Sequence, residues 1–305
     1  MHSLLEQIIA EAGGIILGKE RLLRLSLACM LARGHLLIED LPGVGKTTLA
    51  HVLAALLGLH YQRIQFTSDL LPADILGVSV FDRDNHVFQF HPGAVFSQLV
   101  LADEINRATP KAQSALLEAM EERQVTVEGE TRPLPAPFFV IATQNPAYQI
   151  GTFPLPESQL DRFLMRVEIG YPEAQAERAL LAGEDRRDLL AHLRPVIGPE
   201  QLLEIQQAVM RVFVAEPLLD YCQDLLSFSR SSPEFRHGLS PRAGLALLRA
   251  ARAWALLDGR SDVIPEDLQA VVAPTVAHRL RFAAEVPAGE RRSVAQVLLE
   301  AVPVP

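Results

Sequence analysis

Eight consecutive residues, Leu41-Pro42-Gly43-Val44-Gly45-Lys46-Thr47-Thr48, combine two glycines, an ammonium and two hydroxyls at the spacing that cradles phosphate. Gly43 and Gly45 let successive backbone N–H groups curl into a concave nest, which Pro42, Val44 and Thr48 complete. Lys46 is placed to neutralise β and γ phosphates, and the Thr47 hydroxyl to hold Mg²⁺. The first glycine of the usual G-x-x-x-x-G-K-[ST] pattern is Asp40 here. It precedes the tight part of the loop and leaves the cradle intact.

A second group of residues has the chemistry to use a bound triphosphate. Asp103-Glu104 closes the apolar run Leu99-Val100-Leu101-Ala102. Asp103 suits a Mg²⁺ ligand, and Glu104 suits a carboxylate that polarises the attacking water. Taken alone, such a pair reads as solvated strand-end acids, and only the phosphate loop turns it toward chemistry. Asn145 follows the apolar run Phe138 to Ala142, where an amide can donate to the γ-phosphate, although Asn145-Pro146 also reads as a plain turn. Arg162 and Arg242 are candidates to stabilise transition-state charge, and spacing alone does not separate them from surface arginines.

These residues need elements that bring them together. The run Leu36 to Asp40 reads as a buried strand, and Leu49, Val52, Leu53 and Leu56 recur at helical spacing up to Gly58. Strand, glycine loop and helix are the context a phosphate site needs, with the helix N-terminus aimed at the anion. Tyr61 to Phe66, Leu99 to Asp103, Phe138 to Ala142 and Leu164 to Ile169 are further strands. Alternation with helices implies a mostly parallel sheet whose strand ends face the ligand. Two hairpins interrupt it: Val78–Phe81 with His86–His91, and Gln124–Val127 with Thr131–Leu134. Ahead of the phosphate loop, helices are expected over Ser3 to Ala12, opened by a Ser3/Glu6 capping box, and over Lys19 to Arg33, with Gly13-Gly14 between them. Pro110 opens another helix. Beyond Tyr171-Pro172 strand signals vanish. Residues 171 to about 198 connect to a helical region punctuated by Pro217, Pro241, Pro265 and Pro274, with Ser240 capping the helix that carries Arg242. The expected division is an αβα nucleotide-binding core over 1–190 and an all-α domain over 191–305.

Composition narrows the class. The 305 residues are 49% hydrophobic and 21% charged, as in globular proteins that need no staples. Cys29 and Cys222 lie in apolar helical contexts and build neither a disulfide framework nor a metal site. The start of the chain does not resemble a signal peptide, and no apolar run approaches the roughly 18 residues of a membrane span, so cytoplasm is expected. A net charge of −9 argues against a surface made to neutralise nucleic acid. The basic pairs Arg186-Arg187 and Arg291-Arg292 have acidic neighbours and read as solvated helix faces.

In their joint order these segments resemble the AAA+ ATPases, and within them the MoxR family. The stretches that carry the resemblance are Glu39 to Ala50, Leu101 to Ala108, Gln113 to Glu122, Ala142 to Pro146, Gly151 to Glu157, Asp161-Arg162-Phe163 and Ser240 to Ala243. The resemblance implies a P-loop core with two hairpin inserts followed by a small helical lid. It assigns Lys46 and Thr47 to Walker A, Asp103 and Glu104 to Walker B, and Asn145 to sensor 1. It makes Arg162 a finger offered to a neighbouring subunit and Arg242 sensor 2, and puts Ile16, Leu17 and Gly18 beside the adenine. It further implies ATP and Mg²⁺, a ring that is a hexamer in most such proteins, and chaperone-like remodelling or maturation of partners, some with a von Willebrand A domain. The hairpins resemble loops that touch clients at the ring's centre. An ATP-gated scaffold with incidental turnover is an alternative that the presence of Glu104, Asn145 and both arginines disfavours. A nucleic-acid or metal-chelatase-type motor is another, and the acidic hairpin tips count against DNA.

Overall fold

Three runs of mostly aliphatic residues, buried on both faces, form the centre of one parallel sheet because only burial between helices satisfies them. The computed structural model describes residues 1–146, 152–183, 186–284 and 292–304, so Gly151 and Arg291 lie outside the described residues. The chain runs α1 (His2–Ile15), α2 (Glu20–Leu31), β1 (Leu36–Glu39), α3 (Lys46–Leu56), β2 (Tyr61–Gln65), α4 (Pro72–Leu76), β3 (Gly77–Asp82) and β4 (Val87–Pro92). It continues through β5 (Leu99–Asp103), α5 (Pro110–Glu122), β6 (Gln124–Val127), β7 (Glu130–Pro133), β8 (Phe139–Gln144), α6 (Glu157–Leu160) and β9 (Met165–Val167). After β9 come α7 (Ala174–Ala182), α8 (Arg186–His192), α9 (Pro199–Arg211), α10 (Glu216–Ser231), α11 (Pro241–Leu257), α12 (Pro265–Val276) and α13 (Val294–Ala301).

The sheet order is β2-β5-β8-β1-β9, with all neighbours parallel. The phosphate-loop strand β1 and the acid-bearing strand β5 therefore flank β8, and their C-terminal ends share one edge. One apolar cluster packs α1, α2 and α3 against the sheet and runs on into the helices after α8. A second covers the other face with α4, α5 and the segment around Phe163. The helical region is built on α11, whose Ala243, Ala246, Leu247, Ala250 and Ala251 are buried. A Cβ at Gly244 would come within 2.7 Å of Leu226 Cδ1, so this glycine lets α10 and α11 approach closely.

The two hairpins form separate antiparallel pairs, β3-β4 and β6-β7. At the base of the first, a Cβ on Gly77 would meet His91 O at 2.5 Å, and one on Gly93 would meet Ile75 O at 2.3 Å. The two glycines allow the strands to leave the core side by side.

Three local expectations are corrected. Gly13 and Gly14 do not separate two helices, because α1 continues through them to Ile15. Two glycines cost about 1 kcal/mol each in a helix, less than the burial of Ile8, Ile9 and Ile15 returns. Ser3 is no cap, since α1 already starts at His2 after Met1. Pro274 does not punctuate a helix but lies in the last turn of α12, whereas Pro241 and Pro265 open their helices. Both cysteines are buried free thiols. Among the described residues no helix is long and apolar enough to cross a membrane.

Candidate functional site

Gly45 leads into α3 with φ +96°, and Gly43 has φ +85°, a backbone region that glycine enters at no steric cost. A Cβ at either would find nothing within 4 Å, so the loop stands over open space as a cradle must. The loop borders a cavity of about 430 Å³ lined by Gly43, Val44, Gly45 and Thr48, by Ile15, Ile16 and Leu17, and by Tyr171, Pro172 and Leu181. Its size is within the roughly 300–1,000 Å³ of small-molecule sites, with N–H groups at one end and apolar side chains at the other. Gly18 does not line this cavity. Its φ is +68°, and a Cβ placed on it would come within 3.3 Å of Ala176 Cβ, so it packs the α1–α2 turn against α7, while its neighbours Leu17 and Lys19 line the pocket.

Lys46 is buried, and its Nζ donates to the Asp40 carbonyl at 2.6 Å. Desolvation pulls its pKa below the ordinary lysine range, and the charges of Asp40, Asp103 and Glu104 oppose that shift. The ammonium thus lies in the field of all three carboxylates and, among the described residues, bonds one carbonyl. Asp40 explains its own departure from the glycine pattern. Its Oδ2 accepts the N–H groups of Ile169 and Gly170 at 2.7 and 2.6 Å, and its Oδ1 accepts that of Leu41 at 2.7 Å. The carboxylate ties the loop's entry to the segment leaving β9.

At the ends of β5 and β8 a network of side chains grips the two acids. Thr143 Oγ1 donates to Asp103 Oδ1 at 2.6 Å and accepts the Glu104 N–H at 2.8 Å. Glu104 has φ +56°, a left-handed conformation uncommon for a non-glycine residue, which turns its carboxylate out of the strand. Asn145 Nδ2 donates to Glu104 Oε1 at 3.1 Å, and the Asn145 Oδ1 is buried with no partner among the described residues. From β2, Arg63 donates to Asp103 Oδ2 at 2.6 Å and Gln65 to Glu104 Oε2 at 2.9 Å, while Arg107 pairs with the same oxygen at 3.2 Å.

The donor set fits a hard cation bound with a nucleotide. Thr47 and Asp103 offer one hydroxyl and one carboxylate, and among the described residues no three His, Cys, Asp or Glu side chains cluster as a metal cage. Mg²⁺ is held in just this sparse way, by one or two protein oxygens together with substrate phosphates.

The two candidate arginines lie elsewhere. Arg162 and Arg242 line a common cavity with His35 and Leu164, which precede β1 and β9. Arg242 donates to both oxygens of Glu121 on α5, at 2.8 and 3.4 Å. The four residues of β1, a span of about 16 Å from His35 to Asp40, separate that cavity from the loop. The structure thus gathers Lys46, Asp103, Glu104 and Asn145 at one end of the sheet, and Arg162 with Arg242 at the other. Arg279, which no sequence signal marks, fixes the Arg162 segment: its Nε donates to Asp161 Oδ1 at 2.7 Å and its Nη2 to Phe163 O at 2.7 Å. Arg63, Gln65 and Thr143 were equally silent in the sequence.

Comparison with known proteins agrees with this geometry. Residues 35–165 match the model of the ATPase family associated with various cellular activities (AAA), and residues 227–300 match the AAA lid domain. The chain is 40% identical to Chaperone MoxR1 of Mycobacterium tuberculosis, over 90% of this chain and 75% of that protein. It is 34% identical to Protein MoxR of Paracoccus denitrificans, over 100% of this chain and 97% of that one. Among solved structures, the crystal structure of a putative ATPase from Cytophaga hutchinsonii superposes with a TM-score of 0.88 at 34% identity, covering 97% of this chain and 92% of the other.

Proposed function

The chain belongs to the MoxR branch of the AAA ATPases, and from that premise we propose that it binds ATP with Mg²⁺ and hydrolyses it as one subunit of a ring, a hexamer in this reading, to remodel or mature partner proteins. Pro42 to Thr48 hold the phosphates, with Lys46 neutralising them, and Thr47 and Asp103 hold the cation. Bound Mg²⁺ withdraws charge from the phosphate oxygens. Glu104 accepts a proton from the attacking water, and Asn145 keeps the Glu104 carboxylate and the γ-phosphate in register. Arg162 and Arg242 neutralise transition-state charge on the nucleotide of an adjacent copy.

One observation carries the reading. The acids and Lys46 share the C-terminal ends of the strands, while Arg162 and Arg242 line a cavity at the opposite ends, too far to serve their own loop. A site with an anion cradle and, among the described residues, no unpaired arginine of its own is completed by a second copy. The β3–β4 hairpin supports a protein client, since the Phe81 and Phe88 rings meet at a tilt with centroids 5.2 Å apart and Phe88 is 70% exposed. A client with a von Willebrand A domain rests on the family resemblance. Two buried free thiols accord with a reducing compartment, hence the cytoplasm.

The test is complementation between two inactive variants. Glu104→Gln should bind ATP within about threefold of the parent and release phosphate about 100-fold more slowly, and Arg162→Ala should bind normally and stay silent when assembled. Mixing the two restores part of the activity, because some interfaces then join an intact Glu104 to an intact Arg162. Lys46→Ala loses binding outright. Full turnover in a dilute, demonstrably monomeric sample would refute the shared site.

A further inference from the structure

The cavity that holds Arg162 and Arg242 is about 170 Å³, and its walls also carry Arg33, Arg123, Arg249 and Arg279. Two carboxylates answer these six guanidiniums: Asp161 pairs with Arg279, and Glu121 with Arg242. Among the described residues, Arg33, Arg123, Arg162 and Arg249 make no ion pair, and the Arg33 Nε is buried without a hydrogen-bond partner. His35, the other titratable group on the wall, adds no negative charge. In a chain of net charge −9, this concentration of uncompensated cations calls for an anion.

Backbone geometry points the same way. Arg33 and Arg123 sit just past the ends of α2 and α5 with φ of +56° and +52°. Glycine or asparagine is the ordinary choice at such left-handed positions, so an arginine at each carries a backbone cost that the surrounding contacts must offset. Arg123 Nη2 donates to the Arg33 carbonyl at 3.3 Å, which brings the two turns together. The Arg123 guanidinium lies below its ordinary pKa, through desolvation first and then through the charges of Arg33 and Arg249. On α11, Arg242, Ala246 and Arg249 follow at four- and three-residue steps, so one face of the helix presents both arginines to the cavity. The volume is well below the roughly 300 Å³ at which small-molecule sites begin, so a whole nucleotide does not fit but the phosphate end of one does.

We infer that Arg33, Arg123 and Arg249 form a polyphosphate-binding surface that receives the phosphate chain of a nucleotide seated in an adjacent copy of this chain. The inference rests on the shared-site reading above and adds three residues to it. Their work is binding, whereas Arg162 and Arg242 act on the transition state. Charge-assisted contacts of this kind to a phosphate hold substrate and transition state alike, so their loss raises KM more than it lowers kcat.

Two measurements test it. First, inorganic tripolyphosphate is titrated calorimetrically into the Lys46→Ala protein, whose own loop no longer binds phosphate. Binding is expected, with affinity falling at least tenfold when Arg123→Gln and Arg249→Gln are added, and with Arg123→Lys and Arg249→Lys retaining most of it. Second, in the assembled protein with Lys46 intact, Arg123→Gln or Arg249→Gln raises KM for ATP about tenfold while kcat falls less than threefold, in contrast to the collapse of kcat in Arg162→Ala. Absence of tripolyphosphate binding, or binding indifferent to the arginine variants, overturns the inference. Arginine-dependent tripolyphosphate binding with an unchanged KM for ATP also overturns it, since the cavity would then be a free-anion site unrelated to a neighbour's nucleotide. If the parent protein hydrolyses no ATP, the functional proposal fails while the first measurement still reads the cavity.

Discussion

Replacing Thr143 by valine keeps the shape of the side chain and removes one hydroxyl from the middle of the acid network. That hydroxyl donates to Asp103 Oδ1 at 2.6 Å and accepts the Glu104 N–H at 2.8 Å, and Thr143 is fully buried. Loss of a hydrogen bond to a charged group costs about 1.5–3 kcal/mol, and a stranded N–H costs about 1–3 kcal/mol more. Asp103 keeps Arg63 as a partner, which limits the first loss, so the expected total is about 3 kcal/mol. For a chain of this length that corresponds to about 5 °C in the melting midpoint. The same N–H holds Glu104 in its left-handed turn, and a carboxylate released from it loses its aim. About 1.4 kcal/mol of misplacement is tenfold in rate, so phosphate release should fall at least about tenfold. Nucleotide affinity, read by titration of a fluorescent ATP analogue, should stay within about threefold, because the loop itself is untouched. Thr143→Ser, which keeps the hydroxyl, should sit close to the parent in both assays. A Thr143→Val protein that melts within about 1 °C of the parent and turns over at its rate would refute the reasoning.

Two further perturbations follow from polar groups held in the fold, the half-buried Asp40 and the buried His35. Asp40→Gly restores the usual loop pattern yet removes the acceptor for three backbone N–H groups, so it should lower the melting midpoint and weaken nucleotide binding; equal or better values in the variant would show that the Asp40 carboxylate is incidental. His35 accepts the Val140 N–H on Nδ1 and faces the Met120 carbonyl through Nε2, and burial, then the Arg123 charge, pushes its pKa from 6.5 down to about 4. Between those values the unfolded chain binds a proton that the folded chain does not. Stability is therefore full above pH 6.5 and is lost as pH falls toward 4, by at most about 3 kcal/mol. Urea midpoints measured from pH 7 to 5 should fall along that slope, and His35→Gln should flatten it.

Most of the sheet was legible because its central strands β1, β5 and β8 are apolar runs buried on both faces, and because parallel strands present their C-terminal ends to a ligand. That rule alone brought Asp103, Glu104 and Asn145 to the loop. What the sequence hid were contacts made by register. Arg63 and Gln65 reach Asp103 and Glu104 only because β2 pairs with β5 so that Gln65 lies opposite Asp103. Nothing local in Tyr61 to Gln65 announces it. Asp40 is similar: a missing glycine looked like a tolerated departure, whereas its carboxylate is the joint between the loop and the chain leaving β9. Gly13-Gly14 misled in the other direction, since local propensity favoured a break and the burial of α1 along α2 and α3 overrode it. The common cavity of Arg162 and Arg242 joins segments 80 residues apart, a juxtaposition that only the packing of α11 against the core creates.

Under the proposed shared site, that packing also decides which nucleotide Arg242 would serve. The arginine stands at the N-terminus of α11, whose 17 residues form a rod about 26 Å long. Ala243, Ala246, Leu247, Ala250 and Ala251 are buried along it, Gly244 meets Leu226 of α10, and Ser240 caps its start by accepting the Ala243 N–H. Swinging Arg242 from Glu121 to the loop of its own subunit would drag this rod out of its seat. It would also break the Arg279 contacts that bind the region after α12 to Asp161 and Phe163. Re-exposing Leu247 alone costs about 2 kcal/mol, and each uncovered alanine and severed buried hydrogen bond adds to it. Rotation of a whole neighbouring subunit moves the same guanidinium with its packing intact. The lower-cost motion is the one between copies, so the shared site proposed above predicts a hydrolysis cycle read out as a change at the subunit interface, with α11 rigid throughout.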